Sequence, residues 1–180
     1  MNEGGETTRI RHMIAPFIVG MDGVDLGYGG DSISPSAINV DQVNPYAMSR
    51  TDHPQHLHGD ASKLHWFADH VLDYVYSSHL LEDFPMDQTA SVIHEWMRVI
   101  KVGGLLILYL PNEQRFRKHC DATGQSYNNN HQNPDMALEY MHDKILHVAK
   151  YGFSPERMLE FLYEWDDKTA YSFLTVVKVM

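Results

Sequence analysis

Two glycines and two acidic residues near the N-terminus have the types and spacing of a site for a nucleoside-containing ligand. Asp25 lies in the short apolar run 24–26, and Gly27 and Gly29 follow it directly. Glycine allows a tight turn with positive φ and leaves no side chain between the backbone and a ligand. Asp41 ends the next apolar run, where its carboxylate can accept hydrogen bonds from a ribose diol. The turn and the acid together predict a pocket for a nucleoside-containing cofactor.

A histidine and two arginines are further candidates for chemistry on a substrate. His79 follows a predicted central strand, where open α/β sheets place ligands, and its imidazole can accept a proton from a hydroxyl or amine. It is therefore the candidate catalytic residue, and a structural hydrogen bond to nearby backbone is the alternative. Arg115 and Arg117 lie in a polar segment where they could bind an acidic substrate such as a phosphate. A solvated cluster of charge is the alternative for these two.

The histidines at 53, 56 and 58 are close enough in sequence to suggest metal ligands. No carboxylate or cysteine completes an evident set, so we expect no metal site. The single cysteine, Cys120, excludes an intrachain disulfide and a cysteine-based zinc site within one chain.

The composition is that of a globular protein, and its negative net charge argues against negatively charged partners. Its 180 residues predict a single domain, 1–180, with 43% hydrophobic and 21% charged residues. A net charge of −10 argues against nucleic-acid and anionic-membrane partners. No apolar run approaches the roughly 20 residues that span a bilayer, and the polar start does not resemble a signal peptide. We therefore expect a cytoplasmic protein.

The elements that must position these residues begin with a helix and two short strands. An apolar stripe with helical spacing predicts an N-terminal helix, and its members are Ile10, Met13, Ile14, Phe17 and Ile18. Strands are predicted at 24–26 and 38–41. The segment 32–36 between them is too short and too rich in serine and proline for the usual crossover helix. Residues 42–56 predict a loop or an irregular helix, and a further strand is predicted near 55–58.

The second half alternates more clearly between strands and helices. Buried strands are predicted at 71–76 and 105–110, with a helix between them that Gly103 and Gly104 should end. The polar segment 112–134 has no periodicity and predicts a long functional or mobile loop. A helix at 135–150 and two antiparallel strands, at 159–165 and 171–180, follow, although a helix starting at Ser154 is an alternative for the first of these.

Near-continuous apolar strands that alternate with helices indicate an α/β fold. The prediction is a Rossmann-like three-layer sandwich, with a mostly parallel sheet covered on both faces and an antiparallel C-terminal strand.

Four ordered motifs resemble those of class I S-adenosylmethionine-dependent methyltransferases, particularly the small type 11 branch. Residues 25–29 resemble the D-x-G-x-G loop that lies under the methionine part of the cofactor, and Asp41 resembles the ribose-binding acid. Residues 59–61 resemble the segment whose acid and following amide face adenine. Residues 73–82 resemble the fourth-strand motif, and 95–104 resemble the helix and turn that come next.

The resemblance implies S-adenosyl-L-methionine as cofactor and a seven-stranded sheet whose last strand is inserted antiparallel. The residues it assigns to cofactor binding are Asp25, Gly27, Tyr28, Gly29, Asp41, Gln42, Asp60, Ala61 and Ser77. The chain departs from the family pattern at Asp31, which replaces a third glycine, and in its short first crossover. Both departures concern the methionine-carboxylate end of the pocket.

The leading interpretation is an S-adenosylmethionine-dependent methyltransferase acting on a small-molecule or sugar-like acceptor. Such an enzyme mainly aligns its reactants, so it needs no metal or covalent nucleophile. A non-catalytic methyltransferase-like subunit that binds cofactor or a protein partner is the alternative, and the short first crossover favours it. A nicotinamide-dependent oxidoreductase is set aside because Ser32 stands where its glycine motif needs glycine. We expect neither nucleic-acid nor membrane partners, and a homodimer is compatible with the sequence.

Overall fold

The computed structural model describes residues 5–43, 53–168 and 170–180. Seven strands in these residues form one sheet in the order β3-β2-β1-β4-β5-β7-β6. They are β1 (Gly23–Leu26), β2 (Ile38–Asp41), β3 (Leu57–His58), β4 (Leu72–Ser78), β5 (Ile100–Pro111), β6 (Leu159–Asp166) and β7 (Ser172–Val179). The helices of the described residues are α1 (Glu6–Ile18), α2 (Thr89–Val99), α3 (Glu113–Thr123) and α4 (Leu138–Tyr151), with a short 3-10 turn at Leu81–Asp83.

The sheet has the predicted topology. Strands β1 to β5 pair in parallel, and β7 lies between β5 and β6, antiparallel to both. Leu159–Asp166 is thus a strand and not part of a helix starting at Ser154. The predicted α/β Rossmann-like fold with an antiparallel C-terminal strand is confirmed.

Helices cover both faces of the sheet. On one face, α2 and α4 pack over β4 and β5 in a core that includes Trp96, Ile145 and Leu106. On the other face, the predicted stripe of α1 packs against tyrosines of the sheet, including Tyr74 and Tyr76. No helix in the part of the chain that the structure describes is long and apolar enough to cross a membrane.

The connection from β1 to β2 contains no helix, as the sequence predicts. Its residues Ile33 and Ala37 are buried beside α1 instead. The hydroxyl of Ser32 donates to Oδ1 of Asn39 at 2.6 Å, which ties the connection to β2. The N-terminal helix therefore covers sheet surface that the short crossover leaves open.

The predicted end of the helix before β5 is wrong. Helix α2 ends at Val99, and β5 starts at Ile100, so Gly103 and Gly104 lie inside a strand. Gly103 has φ +86°, and a Cβ on Gly104 would come within 2.7 Å of the Asp73 carbonyl oxygen on β4. Glycine at these two positions allows an irregular, closely spaced pairing of β5 with β4 and does not end a helix.

The segment 112–134 was predicted as a loop, but it begins with helix α3. Asn112 caps the helix by accepting a hydrogen bond from the Arg115 amide at 3.1 Å, and Gly124 ends it with φ +72°. Only Phe116 and Cys120 form its apolar stripe, which explains the weak periodicity. The strand predicted near 55–58 is confirmed as β3, and most of the irregular segment predicted before it lies outside the described residues.

Candidate active site

A cleft of about 500 Å³ lies at the carboxyl ends of strands β1 to β4. We call it the first cleft. Five residues that the sequence assigned to cofactor binding line it, namely Gly27, Asp41, Gln42, Asp60 and Ala61. Leu80 and Phe84 add apolar surface. Ligands of open α/β sheets bind at this edge, so the topology and the candidate residues agree.

The glycine turn after β1 forms the floor of the first cleft. Gly27 and Gly29 have φ values of +67° and +57°, which residues with side chains seldom adopt. A Cβ on Gly27 would lie 2.9 Å from Cδ2 of Leu80, so this position has no room for a side chain. The Gly27 amide donates to the Val40 carbonyl at 2.8 Å, which fixes the turn against β2.

Asp41 is half-buried at the tip of β2, and two backbone amides orient its carboxylate. Oδ2 accepts from the Gly29 amide at 3.1 Å, and Oδ1 accepts from the Gln42 amide at 2.8 Å. Burial raises the pKa of Asp41, and these two hydrogen bonds lower it by less. Each oxygen retains acceptor capacity toward a hydroxyl in the cleft.

Asp60, on the opposite side of the first cleft, belongs to a tight turn. Its Oδ1 accepts from the Ser62 amide at 2.9 Å and from the Ser62 hydroxyl at 2.7 Å. The other carboxylate oxygen lies 3.7 Å from Nζ of Lys63. The turn fixes Asp60 and the adjoining Ala61 at the rim.

Asp25 and Ser77 lie behind the turn and not in the cleft wall. Asp25 is fully buried, and its Oδ2 accepts from the Ile33 amide at 2.7 Å. Ser77 is also fully buried and donates to the Leu26 carbonyl at 3.1 Å. Burial raises the pKa of Asp25 to about 8, which favours a neutral carboxyl at pH 7. Both side chains hold the turn in place from beneath.

Two smaller clefts continue from the first. The second, of about 250 Å³, shares Gly27 with the first and also includes Tyr28 and Gly29. The third, of about 220 Å³, shares Glu6 and His79 with the second. The three clefts therefore adjoin one another at shared residues.

His79 lies at the junction of the second and third clefts. It follows β4 with φ +47°, and its Nε2 is 3.1 Å from Oγ of Ser172 on β7. Its Nδ1 lies 3.5 Å from carboxyl oxygens of both Glu6 and Glu82. Burial lowers the pKa of His79 to about 3, which keeps the imidazole neutral near pH 7.

Three buried residues beside His79 were not predicted from the sequence. His131 lies between Glu113, 2.7 Å from its Nδ1, and Glu82, 3.8 Å from its Nε2. All three side chains are at most 5% exposed. Burial raises the pKa of Glu82 well above its usual range. A sequence signal existed for Glu82, which follows His79 at a spacing of three in the fourth-strand motif.

The structure does not bring the two candidate arginines to the clefts. Arg115 pairs with the Asp166 carboxylate and donates to the Asp167 carbonyl at 3.0 Å. Arg117 donates to Oε1 of Glu113 at 2.8 Å. Neither guanidinium is among the groups that line the three clefts. Both are occupied by protein acceptors.

The histidines near residue 55 make ordinary hydrogen bonds. Nδ1 of His56 accepts from the Asn39 amide at 2.9 Å, and Nδ1 of His58 is 3.0 Å from Nε2 of Gln55. Among residues 5–43, 53–168 and 170–180, no group of three or more histidine, cysteine or acidic side chains could hold a metal ion.

Residues 25–108 match the family model described as "Methyltransferase domain". Solved structures extend the likeness over nearly the whole chain. A SAM-dependent methyltransferase from Archaeoglobus fulgidus is 16% identical with a TM-score of 0.68, covering 96% of this chain and 92% of that one. A Pyrococcus horikoshii protein is 18% identical with a TM-score of 0.70, covering 99% and 93%. An S-adenosylmethionine-dependent methyltransferase from Clostridium acetobutylicum is 12% identical with a TM-score of 0.67, covering 97% and 92%. No curated protein matches the chain.

Proposed function

We propose that the chain methylates a small-molecule acceptor, using S-adenosylmethionine bound in the first and second clefts, on the premise that residues 25–108 match the methyltransferase domain model. The observation that carries this proposal is the position of the residues singled out by sequence. Gly27, Asp41 and Asp60 come from three separate strand ends, and all of them line one cleft. Chance placement of three such residues around a single cavity would be unusual.

The shape of the cleft fits the cofactor. The Gly27 turn is a cradle that a Cβ would fill, and Asp41 presents oriented acceptor oxygens beside it. We assign the ribose to Asp41 with Gln42, and the adenine to Asp60, Ala61 and the apolar side chains next to them.

The methionine end falls in the second cleft, over the backbone of Gly27, Tyr28 and Gly29. Asp25 and Ser77 act by supporting this turn from behind. When bound, the cofactor supplies a methyl group on a cationic sulfur, which is already a good leaving group. The protein then has to bind, orient and deprotonate the acceptor.

The third cleft is the site we assign to the acceptor. Its volume of about 220 Å³ suits a small molecule or a single sugar-like ring better than a polymer. The catalytic role of His79 stays a prediction. Its place between the second and third clefts supports that role, but its low proton affinity suits it to positioning more than to proton removal.

Calorimetric titration with S-adenosylmethionine and S-adenosylhomocysteine tests the assignment. We predict that both ligands bind the wild-type protein and that Asp41→Ala weakens binding by about 1.5–3 kcal/mol, since hydrogen bonds to a charged group are lost. Asp143→Ala is the matched control, because Asp143 is an exposed carboxylate on α4.

Unchanged affinity in Asp41→Ala would remove this residue from the site. If the wild-type protein bound neither ligand, the proposal as a whole would fail. Binding without methylation of any acceptor would favour the non-catalytic subunit.

A further inference from the structure

His131, which lines the third cleft, is paired with the buried Glu113 behind it. Nδ1 of His131 lies 2.7 Å from Oε2 of Glu113, while Oε1 of Glu113 accepts from Nε of Arg117 at 2.8 Å. Since both glutamate oxygens act as acceptors, Nδ1 of His131 carries the hydrogen. The lone pair of the neutral ring is therefore on Nε2. This tautomer is the one that a proton acceptor in the cleft requires.

Nothing in the described residues uses that lone pair. The nearest carboxyl oxygen, Oε1 of Glu82, is 3.8 Å from Nε2, which is too far for a hydrogen bond. Neither oxygen of the fully buried Glu82 carboxyl has a hydrogen-bond partner among the residues that the structure describes. A buried carboxyl without a hydrogen bond is costly for stability, and a role toward a ligand or in a reaction is one explanation for its presence.

We propose that Nε2 of His131 is the general base for an amine acceptor bound in the third cleft, with Glu113 as the residue that orients it. The inference rests on the proposed function and names its acceptor class. Besides Glu113 and Glu82, the titratable or charged groups near His131 are Glu6, His79 and Tyr171 of the cleft wall, Asp83 of the 3-10 turn and Arg117, which pairs with Glu113.

The charge of the cleft favours a cation over an anion. Glu6 lines it directly, and no lysine or arginine is among the described residues that do so. Burial raises the pKa of Glu6, and an ammonium group beside it would favour its carboxylate form. Arg9, whose charge acts on Glu6, does not line the cleft and pairs with Asp167 at 3.2 Å, so carboxylates and phosphates are disfavoured there.

The rest of the wall has an aromatic part, formed by Phe116 and Tyr171, and a polar part, formed by Gln125, Ser126 and Asn128. The ring of Phe116 is 4.9 Å from that of His131 and 5.1 Å from that of Tyr171, measured between centroids. Such a surface suits an acceptor with a ring of its own, and its π-faces also attract an ammonium group. We therefore expect an arylalkylamine or a compound of similar shape.

The step balances with the groups present. The ammonium form of the acceptor gives one proton to Nε2 of His131, and the imidazolium that forms is paired with Glu113. The freed nitrogen lone pair forms a bond to the methyl carbon as the bond from that carbon to sulfur breaks. The products are a methylated ammonium ion and S-adenosylhomocysteine.

Three probes that share a phenyl ring and a two-carbon skeleton test the acceptor class. They are 2-phenylethylamine, 2-phenylethanol and phenylacetate, each incubated with the wild-type protein and S-adenosylmethionine. We expect methylation of the amine at least tenfold faster than of the other two. Faster methylation of the alcohol or the acid, or of none of the three, would overturn the amine assignment.

Substitution of the histidine tests the base. His131→Ala should lower kcat for the amine by about 10²-fold or more, the usual contribution of a general base. Added imidazole should restore part of the rate, which a purely structural defect would not allow. His142→Ala is the matched control. His142 lies on α4, pairs with Glu164 of β6 and lines none of the three clefts.

Calorimetry with S-adenosylhomocysteine on the same samples separates the two proposals. If His131→Ala binds this ligand as the wild-type protein does and keeps its rate, the base assignment is wrong. If the wild-type protein fails to bind the ligand, the proposed function fails instead.

Discussion

Residues of the glycine turn could be predicted because their chemistry is local. Gly27 and Gly29 follow a strand within a few positions, and the ability to adopt a positive φ is a property of glycine itself. The group around His131 could not be predicted in this way. Glu82, Glu113 and His131 come from a 3-10 turn, the start of a helix and a polar segment, and only the tertiary fold brings them together.

The steric requirement at Gly27 gives a prediction with an internal control. Gly20→Ala should cost about 1 kcal/mol, because alanine must adopt a positive φ there and no atom lies within 4 Å of the new Cβ. Gly27→Ala carries the same backbone penalty together with the clash against Leu80. Its unfolding free energy in urea should fall further, and its affinity for S-adenosylhomocysteine should fall at least tenfold. Equal losses in the two variants would contradict a crowded turn.

At the level of elements, strong apolar patterns were predicted well and weak ones were missed. Helices α1 and α4 each have a continuous buried stripe, whereas α3 buries only Phe116 and Cys120 from its apolar residues. The sequence nevertheless contains signals for both ends of α3. Asn112 caps its start, and Gly124 adopts φ +72° after its end. The glycines inside β5 misled the prediction because the same residue type serves both helix ends and irregular strand pairs.

Asp31, which stands where the family pattern has a third glycine, connects α1 to the glycine turn after β1. It accepts from the amide and hydroxyl of Thr8, at 2.9 and 2.7 Å, and pairs with Arg11. A carboxylate at this position also complements the positive N-terminal end of the helix dipole. The residue that replaces glycine therefore connects two elements that both border the second cleft.

This connection should depend on pH. Burial alone would raise the pKa of Asp31, but the hydrogen bonds from Thr8 and Arg11 bring it below its usual value. A lower pKa in the folded state stabilises the fold above about pH 4, and the contribution is lost as the pH falls further. Asp31→Asn should thus lower the unfolding free energy by about 1–2 kcal/mol at pH 7 and by much less at pH 3. Urea unfolding at both pH values measures this, with exposed Asp87→Asn as control, and a loss independent of pH would argue against the ionic connection.

For the molecule as a whole, the alternation of apolar strands and helices predicted the parallel sheet, and the short turn between the last two strands predicted that they pair antiparallel. The central parallel strands β1 and β4 are largely buried, as the apolar runs predict, whereas β3 at the edge of the sheet is not. The order of the strands follows from the family resemblance and not from periodicity, since parallel strands of similar composition can be arranged in several ways.

Ligand binding should stabilise the whole fold, because the clefts involve strand ends across the sheet. At a concentration 100 times its dissociation constant, S-adenosylhomocysteine should add about 2.7 kcal/mol to the unfolding free energy. For a domain of this size that corresponds to a rise in Tm of about 5–11 °C. Differential scanning calorimetry measures the shift, with NADH as a control that should produce none. A shift with NADH and not with S-adenosylhomocysteine would reverse the choice of cofactor.

The insertion of β7 between β5 and β6 has a consequence for biosynthesis. Until residues 172–179 have left the ribosome, the long apolar strand β5 has no neighbour along one of its edges. Exposed edges of this kind recruit strands from other chains, so the nascent polypeptide is open to aggregation until residues 172–179 emerge. Ser172 on that same segment contacts His79, and the wall of the third cleft is therefore completed only when synthesis has reached β7.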